Sequence, residues 1–346
     1  MKEKQYHRLI GALRLERALR KVKIPRCLIV RQIIEDNIDL SDISRREIAS
    51  DCFNNLSFDS EIKARFCKAL FNLRLDVQSD DIVRRAEASK VHIITPLDDI
   101  YPATFKHLYS PPLFLCSVGK NRELLRYPNI VTVIGSRRPS PYGHNITRRF
   151  VADWSALNIV IGSGMAKGID GIAHQAALDS SGKTIAILGS GPDIIYPPDN
   201  RHIYDNIVEN GIIISEYLPG TPPRKQHFPA RNRLLSCLGR CLIVIEATRR
   251  SGTMITTNFA LEQSIPVLAV PGNIDAPASQ GTNRLIRDGC DVLLESTDLL
   301  PYLDIEAIGM SLQGAPVSQQ TDRETPSDPI PAFSVSKEAD TILSSL

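Results

Sequence analysis

The stretch IVTVIGSRRPSPYGHNITRRFVADWSALNIVIGS, residues 130–163, decides the fold class. Ile130–Ile134 is five β-branched residues in a row, which suits a strand buried on both faces rather than one that alternates between core and water. A loop with Gly135, two arginines and two prolines breaks the run, and Asn145–Leu157 then reads as a helix. Ile159–Ile161 starts the next apolar run. Strand, helix and strand in this order make a βαβ unit, and such units build parallel sheets.

The same texture continues toward the C-terminus. Apolar runs recur at Thr184–Leu188, Ile212–Ile214, Leu242–Ile245, Val267–Val270 and Val292–Leu294, with helix-like segments at Gly171–Leu178, Asn258–Gln263 and Thr282–Asp288. They share a pattern and no motif, which excludes a repeat protein. The fold class is therefore α/β, a parallel sheet covered on both faces. Toward the N-terminus, Val91–Thr95 and Leu113–Val118 add two short strands. Residues 1–88 read as a small helical domain: Leu9, Ala12, Leu13 and Glu16–Leu19 follow a 3.6-residue period, as do Ile62, Phe66, Leu70 and Leu73. Ser41, ahead of Ser44–Glu47, offers a cap for another short helix. Three regions result: 1–88 helical, 89–302 α/β, and 303–346 a Pro/Ser-rich tail. Within the tail, 311–336 has linker composition and SKEADTILSSL (336–346) reads as an incomplete helical module.

No run approaches the roughly 18 apolar residues of a membrane span, and charges interrupt every apolar stretch of MKEKQYHRLIGALRLERALRK, so neither membrane insertion nor a signal peptide is expected. Seven scattered cysteines fit a reducing cytoplasm. The formal net charge is only +2, which as an average argues against a nucleic-acid partner. The distribution argues the other way. Residues 1–35 carry +7, residues 224–250 carry +6, and the remainder carries −11.

Ligands of open parallel sheets bind where strands lead into helices, and four such loops stand out. In GSRRPSPYG (135–143), Gly135 permits a sharp turn, Ser136 offers a hydroxyl, and Arg137 and Arg138 suit an anion; solvated arginines on a plain turn are the alternative. GSGMAKGID (162–170) spaces Gly162, Gly164 and Gly168 one residue wider than the dinucleotide fingerprint, and no acid follows to hold a ribose, so its amides suit a phosphate better than a nicotinamide cofactor. Asp170 and His174 are one helical turn apart and read as a structural hydrogen-bonded pair rather than metal ligands. PPRKQHFPARNR (222–233) sets Arg224, Lys225, Arg231 and Arg233 around Phe228. Cations track phosphates and a ring stacks a base, which is what single-stranded nucleic acid requires; a structural phenylalanine among solvated arginines is the alternative. EATRRSGT (246–253) offers Ser251, Thr253 and backbone amides to a further phosphate. Cys237 and Cys241 read as core rather than zinc ligands. Gly182-Lys183-Thr184 resembles the end of a P-loop but precedes a strand, so ATP binding is rejected.

In this order the loops resemble the DNA-processing protein A (DprA/Smf) family, from about Ile93 to Leu300. The resemblance rests on Tyr101-Pro102, Pro111-Pro112, Gly135-Ser136-Arg137, Ser163–Asp170, Ala173-His174, Tyr196-Pro197, Ser215-Glu216, Phe228–Arg233, Ser251-Gly252-Thr253 and Pro271-Gly272. It implies an extended Rossmann-like fold and a protein that binds single-stranded DNA, protects incoming strands and loads the RecA recombinase in natural transformation. It further implies a homodimer, no catalysis and no cofactor. Arg137 and Lys225 would contact phosphates and Phe228 a base, with Arg231, Asn232 and Arg233 adjoining. Members often carry a Gly-rich helical hairpin near the N-terminus, where this chain has Leu9–Glu16, and many end in a winged helix. Two other readings stay open: a nucleotide phosphoribohydrolase of the lysine-decarboxylase-like group, whose PGG-containing loop has no counterpart beyond Ser251-Gly252-Thr253, and a nucleotide-sensing module.

Overall fold

The structure, a computed structural model, describes residues 1–308 apart from 23, 46–50, 54 and 73–76. Leu73, Arg46 and Glu47, the 311–336 linker and SKEADTILSSL lie outside the described residues. The first helices are α1 (Glu3–Lys21), α2 (Arg26–Glu35), α3 (Leu40–Ile43), α4 (Ser60–Phe71) and α5 (Val77–Ala88). Then come β1 (His92–Ile94), α6 (Ala103–Lys106), β2 (Leu115–Val118), β3 (Ile130–Ile134), α7 (Pro141–Ala156), β4 (Val160–Ser163), α8 (Ile169–Asp179) and β5 (Thr184–Ile187). The chain continues through α9 (Arg201–Asn210), β6 (Ile212–Ser215), α10 (His227–Ser236), β7 (Cys241–Val244), α11 (Gly252–Glu262), β8 (Val267–Ala269), α12 (Gln280–Arg287) and β9 (Asp291–Val292).

All nine strands form one sheet in the order β1-β2-β6-β5-β4-β3-β7-β8-β9. β3 is its centre, pairing parallel with β4 (Val131↔Ile161) and with β7 (Thr132↔Leu242). Every β3 residue is buried. Val131 and Val133 pack with Phe150 and Trp154 on one face, while Ile130 and Ile134 serve clusters on the other. The α/β fold with a parallel sheet is as expected, and one edge adds a detail to it: the sheet is mostly rather than wholly parallel. β2 pairs antiparallel with both β1 and β6, because β1 and β2 precede the first βαβ unit and no crossover helix constrains their direction.

The N-terminal helices cover the β1–β2 edge. Leu9, Leu13, Phe66 and Leu70 share a buried cluster with Ile93, Phe114 and Cys116, so one core crosses the 88/89 boundary. Gly11 sits where α1 meets α3, and a Cβ there would run into the Leu40 carbonyl. Asp39, rather than Ser41, caps α3, accepting from the Ser41 amide at 2.9 Å. It also anchors Arg8, which is 5% exposed. The Arg8 guanidinium donates to Asp39 at 2.6 and 3.0 Å and to Asp98, on the loop after β1, at 2.9 and 3.0 Å.

Burial alone would raise the pKa of Asp39; the hydrogen bonds from Arg8 and Ser41 outweigh it and hold the carboxyl well below the usual carboxylate range. A lowered folded-state pKa stabilises above the unfolded value of about 3.9, and that contribution disappears as pH falls through the folded one. Urea unfolding near neutral pH should show Arg8→Met losing about 3–5 kcal/mol, since it strands two carboxylates. Lys4→Met, which removes the exposed partner of Asp39, should lose under about 1 kcal/mol. The gap between wild type and Arg8→Met should narrow progressively as pH falls below about 5, toward about pH 1; a constant gap would contradict the anchoring role.

Candidate functional site

The chain leaves β3 in two directions, through β4, β5 and β6 on one side and through β7, β8 and β9 on the other. Loops at the carboxyl ends of β3 and β7 therefore diverge and open a crevice between them. Its floor is fixed by Glu246, just beyond β7. This buried carboxylate accepts from the Ser140 amide at 2.9 Å and the Ser140 hydroxyl at 2.5 Å. Ser140 in turn caps α7 by accepting from the Gly143 amide at 3.2 Å, with Pro141 at the first helical position. The loop 135–140 is thereby held at both ends.

The loop after β4 closes on itself. Asp170 is fully within the protein, near the Gly164 and Ala166 amides, and burial raises its pKa despite Arg231, whose charge pulls the other way. Arg231 rises from α10 to meet it, donating to the Gly164 carbonyl at 2.7 Å and to the Ile187 carbonyl. Burial pushes the Arg231 pKa down to about 10, with Asp170 opposing the shift. A Cβ on Gly164 would lie 2.7 Å from the Asp170 carboxylate and 2.9 Å from the Arg231 guanidinium, so only glycine fits.

What remains open is a cavity of about 700 Å³ between the β3, β7 and α10 elements. Phe228, in the first turn of α10, shows part of its ring there. The Arg137 guanidinium carbon is 5.8 Å from that ring's centroid, and the Tyr196 ring lies 5.5 Å away at 39°. Opposite is the start of α11. Thr253 donates to the Gly135 carbonyl at 3.1 Å, joining the β3 and β7 loops. Ser251 Oγ is buried with no hydrogen-bond partner, and the adjacent Gly252 has open space where a Cβ would stand. Arg137 and Arg138 are exposed at this mouth, Arg249 and Arg250 are exposed on the loop that leads into α11, and among the described residues none of the four forms an ion pair.

The structure thus gathers Gly135, Ser136, Arg137, Phe228, Arg231, Asn232, Ser251 and Thr253 around one cavity. It separates the others. Lys225 is exposed on the segment before α10 and does not line the cavity. Arg233 turns away to pair with Glu216 at 2.5 Å and to donate to the Ser110 carbonyl at 3.0 Å. Gly164 is buried, so its loop cradles its own Asp170 rather than an outside phosphate. Asp170 and His174 do not pair either. Thr184 donates its hydroxyl to the Ile161 carbonyl, so His174 Nδ1 donates to Thr184 Oγ1 at 2.6 Å, and burial pushes the imidazole pKa down to about 3. Cys237 and Cys241 are core residues, their thiols pushed up to about 12 by burial. Gly182 and Lys183 form the turn ahead of β5, consistent with rejecting a P-loop. Two contributors escape sequence reading. Glu246 looks like one more loop polar group, and nothing local marks Tyr196 as a neighbour of Phe228.

Comparison with known proteins fits this geometry. Residues 92–304 match the family described as DNA recombination-mediator protein A. The chain is 41% identical over 223 residues to the DNA processing protein DprA of Streptococcus pneumoniae, covering 64% of this chain and 78% of that one. The crystal structure of the S. pneumoniae protein is similar with a TM-score of 0.70 at 32% identity, covering 86% of this chain and 98% of that one. A structure of DNA processing protein A from Helicobacter pylori, concerned with its single-stranded DNA binding mode, is similar with a TM-score of 0.56 at 32% identity, covering 65% and 98%.

The buried Arg231–Asp170 arrangement makes a stability prediction. Arg231→Met should destabilise by about 3–5 kcal/mol, because a buried carboxylate loses its counter-charge. Adding Asp170→Asn should recover part of that loss, so the double variant falls well short of the sum of the single ones. Strict additivity in denaturant melts would show that the two groups do not interact.

Proposed function

Because the chain belongs to the DNA recombination-mediator protein A family, we propose that it binds single-stranded DNA in the Phe228 cavity, protects incoming strands and passes them to the RecA recombinase during natural transformation and recombination. In this reading it acts as a cytoplasmic homodimer, uses no cofactor and catalyses no reaction. One arrangement carries the proposal: a half-exposed aromatic ring, unpaired arginines and an unpartnered buried serine hydroxyl converge on a single cavity.

Each part has a physical task. The Phe228 ring offers a face to any base, which makes stacking tolerant of sequence. Arg137, beside that ring, presents its guanidinium fork to a phosphate oxygen while remaining over the aromatic. Ser251 Oγ and the α11 amides supply neutral donors to the same phosphate or the next, reached over the open side of Gly252. Lys225 extends the cationic track from outside the cavity. The same inventory supports a binding role without turnover. Ser251 has no base beside it to activate its hydroxyl, and the carboxylate lining the cavity, Asp170, is engaged with Arg231.

Salt titration of oligonucleotide binding separates these tasks. Phe228→Ala should weaken single-strand affinity by about 1–3 kcal/mol with little change in salt slope. Arg137→Ala and Lys225→Ala should each flatten the log–log slope by roughly 0.7. Ser251→Ala should cost about 0.5–1.5 kcal/mol of binding and no stability, since its hydroxyl satisfies nothing in the free protein. Wild-type behaviour in all four variants would refute the site, and release of free base from nucleoside monophosphates would replace binding with the phosphoribohydrolase reading.

A further inference from the structure

α10 has two functional faces. Phe228, Arg231, Asn232 and Leu235 follow i, i+3, i+4, i+7 spacing and face the cavity already described. His227, Ala230 and Arg233 lie on the opposite face and line a second cavity of about 630 Å³. That cavity is enclosed by the segment after β6 on one side and by α1, α2 and α5 of the helical module on the other.

Its chemistry parallels the first. The His227 and Tyr217 rings stack in its wall, centroids 4.2 Å apart and planes 23° from parallel. His227 is fixed there by a 3.2 Å hydrogen bond from Nδ1 to the Gly189 carbonyl. Five arginines and three carboxylates line the space. Two of the carboxylates are neutralised where they stand, Glu16 by Arg26 at 2.8 Å and Glu216 by Arg233 at 2.5 Å. The third, Asp81, is paired with Arg84 and Arg85. Arg20 and Arg224 have no such partner among the described residues, and both are exposed at the mouth. Arg224 stands four residues before Phe228, on the short segment separating the two cavities.

We propose that this second cavity takes a further nucleotide of the strand held at Phe228, its phosphate met by Arg20 of the helical module and by Arg224, and its base set against the Tyr217–His227 wall. The inference rests on the single-strand reading above and adds to it a strand path and a use for the +7 N-terminal segment. The strand crosses the start of α10, a barrier about one helix diameter, roughly 10–12 Å, wide. Occupying both cavities therefore requires a strand of several nucleotides, whereas a very short one fills the Phe228 cavity alone.

Strand length is consequently the test. Full-length protein is titrated with oligothymidylates of about 4 and about 16 nucleotides, the span of known single-strand site sizes. Because both side chains are exposed, Arg20→Ala/Arg224→Ala should melt like wild type. It should bind the long strand about tenfold more weakly with a salt slope reduced by roughly 1.4, two phosphates' worth, and bind the short strand normally. Arg20→Lys/Arg224→Lys should restore the slope. Long-strand binding unchanged in the double variant while Phe228→Ala is defective at both lengths overturns the second cavity and leaves the first intact. No defect in either variant overturns both. Binding of a free mononucleotide that is lost in the double variant, with no dependence on strand length, overturns the strand path in favour of a small-ligand site.

Discussion

Arg231 carries a charge into an interior that would ordinarily exclude it, and removing an unpaired ion from water costs several kcal/mol. Its acceptors show why it is tolerated. The Gly164 and Ile187 carbonyls stand at the ends of β4 and β5, and the Asp170 charge faces it from the start of α8. Three consecutive elements, β4, α8 and β5, must therefore be in register with α10, whose Arg231 lies 44 residues beyond Ile187, before the guanidinium is satisfied, and α10 has one way to sit on the sheet. Phe228 is three residues earlier on the same helix, so the interaction that buries Arg231 also places the aromatic ring.

That constraint changes where an anion can bind. In many nucleotide-binding sheets the Gly-rich loop is the phosphate cradle, its amides pointing at the ligand. Here the loop after β4 has an anion of its own, Asp170, and Gly164 leaves no room for another group. The open donors lie one step across the switch point, where Glu246 clamps Ser140 and Thr253 holds the Gly135 carbonyl. Rigidity on one side of the crevice leaves Ser251, Gly252 and the Arg137 fork as the adaptable groups on the other.

The sheet was legible because β-branched runs such as Ile130–Ile134 have few other destinations, and burial on both faces confirms them as central strands. Strand direction at the β1–β2 edge was not legible, since direction depends on connections rather than on the strands' own residues. Among the candidate ligands, the sequence placed Arg137, Phe228 and Ser251 at one site because each follows a strand end. It could not show the Arg233–Glu216 pair, because a cation beside an aromatic looks the same whether its partner is a phosphate or Glu216, and Glu216 becomes a neighbour only through the fold. A partial signal existed. On a helix beginning at His227, positions 231 and 233 are about 200° apart, so both arginines could not have faced one ligand.

The charge count needs the same correction. Of the seven basic residues between 224 and 250, Arg231 and Arg233 neutralise buried or half-buried groups, and Arg240 donates to the Pro128 carbonyl at 2.9 Å. Those charges are paired or committed to the fold and add little to the field outside it. Arg224, Lys225, Arg249 and Arg250 remain, joined by Arg137 and Arg138 from a segment the local count omitted. At physiological ionic strength a phosphate senses charges within about 8 Å. The relevant quantity is therefore neither the whole-chain +2 nor the +6 of one segment, but the unpaired cations that folding brings to the loops at the carboxyl ends of the strands.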